Sequence, residues 1–305
     1  MAAAYSDAVI AGVNKAGTTS LFVSLSTHPD IAPSDIKETR FFLPARYGEP
    51  VGPTSEYNDH FRDAGTEAVH LEATPSLFYG GGAVAAVLES QLRDPRVILV
   101  LREPVARAIS FFSYQKVRLR FPADLSIDDY LAAADRLTDA DFANPDNEPY
   151  MAIRGGRYAD DLGVWLDTFG PDRVHIVWFE DLVNDEAAVL GALATFLGID
   201  PGAFPAKELS SENRTTGYKN ARAQQFALTV NDRLERAFRK HPELKRRIRA
   251  LYYKVNGRPV DDAVPSRVRD ELVARFREPN ARLAAQLDAA GIPLAPWLTA
   301  HTPTP

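Results

Sequence analysis

A loop near the start of the chain combines residue types that bind phosphate groups. Gly12 and Gly17 frame the loop, and Lys15 supplies a positive charge within it. Three hydroxyl side chains follow it, on Thr18, Thr19 and Ser20. Backbone N–H groups at the start of a helix favour an anion, and a turn of this kind presents several of them together. The pattern predicts a phosphate cradle, with an ordinary turn as the alternative.

A cradle of this type requires a strand before the loop and a helix after it. The apolar run 8–13 predicts the strand, and an amphipathic run that reaches His28 predicts the helix. Two further apolar runs, 96–101 and 174–179, are typical of strands buried on both faces. Pro104 predicts a helix after the first of them, since proline is favoured at the first helical position.

The loop differs from a Walker A phosphate loop in the position of its lysine. The Walker A motif has lysine directly after its second glycine, and Thr18 occupies that position here. Lys15 lies three residues earlier, so its charge is aimed at a different group of the nucleotide. Nucleoside triphosphate hydrolysis is therefore disfavoured. A P-loop kinase or NTPase stays open as an alternative, with Asp181 as its magnesium ligand.

Two segments resemble a known family. Residues 15–20, KAGTTS, resemble the 5′-phosphosulfate loop of sulfotransferases that use 3′-phosphoadenosine-5′-phosphosulfate (PAPS). Residues 37–42, KETRFF, resemble the KE-x-x-FF element of the heparan-sulfate-type members, in which the glutamate is the proposed general base. The resemblance implies that Glu38 removes the acceptor's proton, which a carboxylate within hydrogen-bond reach can do. The alternative for Glu38 is a solvated loop carboxylate.

A third segment, 102–110, is similar to the family's R-x-P-x-x-R-x-x-S signature. The family's first arginine and its serine bind the 3′-phosphate of the nucleotide, which implies these roles for Arg102 and Ser110. A guanidinium at the carboxyl end of a strand is suited to gripping a phosphate with two hydrogen bonds. We predict Arg107, between them, to be a charge on the helix surface.

The segment 70–76, HLEATPS, resembles the family segment that borders the acceptor site. Heparan-type members have a lysine where Ala73 stands, and this difference argues against an anionic acceptor. Glu72 and His70 are reserve candidates for the base. Their alternatives are a strand-end residue for Glu72 and a strand-edge histidine for His70.

Three later segments also resemble the family. Residues 179–182, FEDL, are similar to its Y-E-D-L/M segment, with Phe179 in place of tyrosine. The position of residues 212–219 resembles the late cofactor loop, for which Arg214 and Lys219 are the candidate cations, against an ordinary polar loop. Residues 275–283 resemble a C-terminal helix with a structural role.

The composition excludes several classes of protein. The chain has 305 residues, 45% hydrophobic and 25% charged, which is typical of a soluble globular protein. A formal net charge of −6 argues against a general nucleic-acid binder. No cysteine is present, which excludes disulfides and thiolate sites. We find neither a signal peptide nor an apolar run long enough to span a membrane, and we expect a cytoplasmic protein.

The resemblance implies one α/β domain over 1–305, with a P-loop-type parallel sheet flanked by helices. The expected activity is transfer of a sulfuryl group from PAPS to a hydroxyl, or as second choice an amine, of a small metabolite, lipid or sugar. Adenosine 3′,5′-bisphosphate is the product, and no metal is required. Residues 117–150 are expected to form a lid or acceptor-binding insertion, or else a surface embellishment. A non-catalytic nucleotide-binding module is a further alternative.

These expectations assign two groups of residues, while the oligomeric state is not predicted. The catalytic residues are Lys15 and Glu38. The residues expected to bind PAPS are Lys15, Ala16, Gly17, Thr18, Thr19, Ser20, Arg102, Ser110, Arg214 and Lys219.

Overall fold

A five-stranded parallel sheet forms the centre of the protein, in the order β2-β3-β1-β4-β5. The structure is a computed structural model that describes residues 6–205, 216–240 and 264–299, with residues 248, 252, 254 and 256–259. The strands are β1 Ser6–Gly12, β2 Ile31–Pro33, β3 Val69–Ala73, β4 Arg96–Leu101 and β5 Val174–Trp178. The predicted α/β class with a parallel sheet is confirmed.

Helices flank this sheet, and a short antiparallel pair of strands lies outside it. The pair consists of β6 Thr216–Tyr218 and β7 Gly257–Pro259. The helices are α1 Thr18–Leu25, α2 Thr54–Asn58, α3 Gly81–Gln91, α4 Pro104–Val117, α5 Ile127–Ala134, α6 Ala159–Phe169, α7 Phe179–Asn184, α8 Glu186–Leu197, α9 Ala221–Lys240, α10 Ser266–Ala289 and α11 Pro296–Thr299. Within the described residues, no helix is both long and apolar enough to cross a bilayer.

The central strands are buried because their sequences are mostly apolar. Residues 97–101 of β4 are 0% exposed, as expected for a strand covered on both faces. Helix α6 buries Leu162, Trp165 and Phe169, which recur at helical spacing on one side. Helix α10 packs on α4 and α6 and contains the segment 275–283, so the expected C-terminal helix is present.

The carboxyl ends of the strands meet at one edge of the sheet. Strand β1 lies between β3 and β4, so the chain crosses β1 when it passes from β3 to β4. Open parallel sheets bind ligands at such a change of strand order, beyond the carboxyl ends. This edge receives the loop that follows Gly12, the residues that follow Ala73, and Arg102.

Arg107 lies in the interior, so its prediction as a helix-surface charge is wrong. Its side chain is 0% exposed on α4, and its Nη2 donates to the backbone carbonyls of Met151, at 3.2 Å, and Ala152. Its Nε and Nη1 have no hydrogen-bond partner in the described part of the chain. The segment around Gly155 crosses this face of α4, and a Cβ there would lie 3.1 Å from Nη2.

We expect Arg107→Ala to lower the free energy of unfolding by about 3 kcal/mol, because it leaves a cavity and two unpaired carbonyls. Arg62→Ala is the control, since that side chain is 71% exposed and its loss should cost under about 0.5 kcal/mol. Urea denaturation followed by circular dichroism measures both changes. Equal losses in the two variants would show that Arg107 adds nothing to the core.

Candidate functional site

The loop between β1 and α1 has the geometry of an anion site. Gly17 is the N-cap of α1 and has φ 82°, a left-handed conformation that glycine adopts without strain. A Cβ on Gly17 would also lie 3.0 Å from the ring of Phe179, so both conformation and space require glycine. Gly17 has no side chain to cap α1, and the N–H groups at the start of a helix favour an anion.

Lys15 is held in an unusual position within this loop. Its φ is 70°, which is uncommon for a residue with a side chain, and its Nζ lies 4.4 Å from the centroid of the Tyr114 ring. The neighbouring Ala16 is fully buried and belongs to the hydrophobic core. The hydroxyl residues after it differ in exposure: Thr18 is buried, Ser20 is half-buried and Thr19 is exposed.

Arg102 directly follows β4 and contacts residues that follow β1 and β5. Its Nη1 donates to the backbone carbonyl of Lys15 at 3.0 Å, and its guanidinium carbon lies 4.5 Å from the centroid of the Phe179 ring. The hydroxyl of Tyr158 donates to the backbone carbonyl of Arg102 at 2.8 Å. Burial lowers the pKa of Arg102, although a guanidinium stays charged at any physiological pH. A fixed positive charge therefore lies beside the loop.

Helix α4 presents one open face at this edge. Pro104 is at its first turn, as predicted, and the Glu103 side chain caps it by accepting the N–H groups of residues 105 and 106 at 2.8 and 2.7 Å. Ser110 and Tyr114 are four residues apart, so they lie on the same face, and both are half-buried. The family motifs do not point to Tyr114, but its four-residue spacing from Ser110 is a sequence signal that places it on this face.

The late loop is described only in part. Arg214 lies outside the described residues. Lys219 directly follows β6, is exposed, and donates its backbone N–H to the carbonyl of Asn256 at 2.8 Å. Strand β6 packs against α4, which carries Ser110, so Lys219 is on the part of the protein that borders this helix.

Glu38 lies at the carboxyl end of β3, between two cations. Its carboxylate is 3.1 Å from Lys37 Nζ and 3.6 Å from Arg40 Nη2, and its side chain is 36% exposed. Burial alone would raise the pKa of Glu38, but Lys37 and Arg40 outweigh it and hold the pKa below its ordinary value. Glu38 is therefore ionised at neutral pH and able to accept a proton.

The two reserve candidates are less accessible to solvent than Glu38. Glu72 is fully buried behind the loop, where burial raises its pKa to about 7. His70 is three residues before the end of β3, about 10 Å from the edge of the sheet. Its ring stacks on Phe61 with centroids 4.6 Å apart, and burial lowers its pKa.

Phe41 and Phe42 form an apolar anchor after Glu38. Their ring centroids are 4.9 Å apart, and both rings pack on Tyr57. Phe42 is fully buried, so the end of the segment that carries Glu38 is fixed to the core.

Comparison with known proteins tests the resemblance noted in the sequence. A family model described as "Sulfotransferase domain" matches residues 5–246. Human heparan sulfate glucosamine 3-O-sulfotransferase 3B1 is 28% identical over 258 residues, which cover 82% of this chain and 61% of that protein. Human heparan sulfate glucosamine 3-O-sulfotransferase 6 is 30% identical over 195 residues, 64% of this chain and 53% of that protein.

A solved structure shares the fold. The sulfotransferase from Alicyclobacillus acidocaldarius superposes with a TM-score of 0.59 at 24% identity, covering 77% of this chain and 95% of that one. The chain spans about three fifths of the length of the first curated relatives it matches. The family match supports sulfuryl transfer and does not favour the kinase alternative. It extends over most of the chain, from the phosphate loop to beyond α9, and this chain belongs to the sulfotransferase domain family.

Proposed function

We propose that this chain transfers a sulfuryl group from PAPS to an acceptor hydroxyl, with an amine as the second acceptor class. The observation that carries the proposal is that the Lys15 loop follows β1, while the N–H of Glu38 donates to the carbonyl of Ala73, the last residue of β3, at 2.9 Å. Strands β1 and β3 are adjacent in the sheet. A cation suited to a leaving phosphate and an ionised base thus lie at the same end of two neighbouring strands.

The donors at this edge fit an adenosine bisphosphate with two separate anionic groups. Residues 16–20 and Lys15 would hold the 5′-phosphosulfate through backbone N–H groups, hydroxyls and one ammonium. Arg102 and Ser110 would hold the 3′-phosphate, with Lys219 and Arg214 closing over it. When bound, PAPS supplies the sulfuryl group that is transferred.

Different residues would accept the proton of the acceptor and stabilise the leaving group. Glu38 accepts the proton of the acceptor hydroxyl as that oxygen attacks, because it is ionised at neutral pH. Lys15 and the N-terminus of α1 stabilise the negative charge that grows on the leaving 5′-phosphate. Since these fixed positive groups supply the stabilisation, we expect no metal requirement.

The acceptor is proposed to be a small metabolite, a lipid or a sugar. Two of the relatives are named for heparan sulfate glucosamine, which supports a carbohydrate hydroxyl. Ala73 removes the lysine of the heparan-type motif and argues for a less anionic acceptor. Segment 117–150 would border this acceptor, since it begins at the end of α4, which carries Ser110 and Tyr114. Its Glu148 also lies 3.8 Å from Arg46, which is four residues after Phe42 in the chain.

A transfer assay in chelator tests the proposal. Protein, ³⁵S-labelled PAPS and EDTA are incubated with a panel of neutral sugars, phenols, aliphatic alcohols and N-sulfated glucosamine oligosaccharides. Labelled product with at least one acceptor class, without added metal, is the expected result. Binding of the bisphosphate without transfer to any of them would favour a non-catalytic module, and activity only with ATP and magnesium would favour a kinase.

A further inference from the structure

Glu72 is a buried acid that the proposed chemistry does not use. It is the residue before the last of β3 and is 0% exposed. Its Oε2 accepts hydrogen bonds from Thr74 Oγ1 at 3.1 Å and Thr39 Oγ1 at 3.3 Å. Its Oε1 has no hydrogen-bond partner among the described residues. Burying a carboxyl group with one oxygen unpaired costs free energy of folding. A role beside the site would explain why the chain has Glu72 there.

The two hydroxyls that Glu72 binds also hold the backbone of the neighbouring loop. The N–H of Arg40 donates to Thr74 Oγ1 at 3.2 Å, and the N–H of Phe41 donates to Thr39 Oγ1 at 3.3 Å. A hydroxyl that donates its single hydrogen to a carboxylate keeps its lone pairs for other donors. Glu72 therefore orients both hydroxyls so that they accept from the loop.

The loop requires such support because its backbone is strained. Glu38 has φ 64° and Arg40 has φ 58°, both in the left-handed region that residues with a Cβ seldom adopt. Conformations of this kind persist only where the surrounding structure holds them. The N–H of Glu38 donates to the carbonyl of Ala73 at 2.9 Å, which ties the loop to the same end of β3.

We propose that Glu72 is a positioning residue that holds the loop 38–41 in the shape that presents Glu38 to the acceptor. This inference rests on the proposed function, since the loop carries the proposed base. Glu72 acts through Thr39 and Thr74 and has no contact with the acceptor, because it is fully buried.

The ionisation of Glu72 gives this arrangement a pH dependence. Burial raises its pKa to about 7, with Lys37 acting against the rise and Glu38 adding to it. Helix α1, which packs on β3, carries no charged residue, and His70 on the same face of β3 lies 4.0 Å from Asp7 instead. An ionised carboxylate binds hydroxyls more strongly and raises the basicity of Glu38. Turnover should therefore increase as the pH rises through about 7.

The pH profile of kcat in wild type, Glu72→Gln and Thr39→Val tests this inference, with the exposed Glu49→Gln as the matched control. Wild type and control should rise about tenfold between pH 6 and 8.5, as expected for one group with a pKa near 7. The kcat of Glu72→Gln should stay near the wild-type value at pH 6 over the whole range, since glutamine accepts hydrogen bonds from the two hydroxyls but carries no charge. Thr39→Val should be about tenfold slower at each pH, with unchanged affinity for adenosine 3′,5′-bisphosphate. A tenfold rise of kcat between pH 6 and 8.5 in Glu72→Gln, as in wild type, would overturn the inference.

Backbone amide exchange measured by NMR gives a readout that does not require turnover. In Thr39→Val and Glu72→Leu, exchange at residues 38, 40 and 41 should be at least tenfold faster, with the rest of β3 unchanged. Unchanged exchange at the loop, or an equal increase throughout the sheet, would overturn the positioning role. If wild type transferred no sulfuryl group, the proposed function would fail while this measurement still decided the role of Glu72.

Discussion

Replacement of Glu38 by glutamine is expected to lower kcat by roughly 10³-fold, the middle of the range for loss of a general base. Glutamine has nearly the same shape and can still hydrogen-bond the acceptor hydroxyl, but it cannot take the proton. Glu38 is held ionised by Lys37 at 3.1 Å and Arg40 at 3.6 Å, so the native side chain is in the form that accepts one. The measurement is steady-state sulfuryl transfer at saturating PAPS.

Binding of adenosine 3′,5′-bisphosphate separates this role from a structural one. The affinity of Glu38→Gln should stay within about twofold of wild type, because none of the residues assigned to the nucleotide is changed. Glu49→Gln, an exposed glutamate, should leave both turnover and binding unaltered. Turnover of Glu38→Gln within a few-fold of wild type would remove Glu38 as the base.

Lys15→Ala is expected to reduce kcat by about 10³-fold, because it removes the cation that stabilises charge on the leaving phosphate. The backbone of the loop should keep its course, since Gly17 still caps α1 and Arg102 still donates to the carbonyl of residue 15. The KM for the acceptor should therefore change little, and single-turnover kinetics with PAPS should show a slow chemical step.

Lys254→Ala is the matched control for charge removal, because that lysine is exposed. It should behave as wild type in transfer and in binding. If Lys15→Ala lost affinity for the nucleotide but kept its kcat at saturation, Lys15 would be a binding residue and not a catalytic one.

The elements that carry the site follow from local sequence, and for that reason they were predictable. The run 96–101 is apolar at almost every position, and the structure has β4 at Arg96–Leu101. Pro104 begins α4, and the glycine-framed loop ends where α1 begins. A strand end, a tight turn and a helix start each depend on residues near in sequence, so propensity and period identify them.

The contacts between these elements could not be predicted in the same way. Arg107 has the sequence environment of a surface charge, yet the segment around Met151 covers it. His70 is on the same strand as Glu72, yet its ring stacks on Phe61, which comes from the segment before β3. Both outcomes depend on which parts of the chain cross in space, and a single sequence carries no local signal for such crossings.

Calorimetric titration with adenosine 3′,5′-bisphosphate in EDTA tests the central claim most directly, in wild type and in Arg102→Ala. We predict micromolar binding to wild type and a loss of about 100-fold in the variant, the cost of removing charged hydrogen bonds to the 3′-phosphate. Adenosine 5′-monophosphate, which lacks that phosphate, should bind both proteins equally weakly. No binding of the bisphosphate by wild type, together with binding of ATP in the presence of magnesium, would contradict a sulfuryl-transfer site.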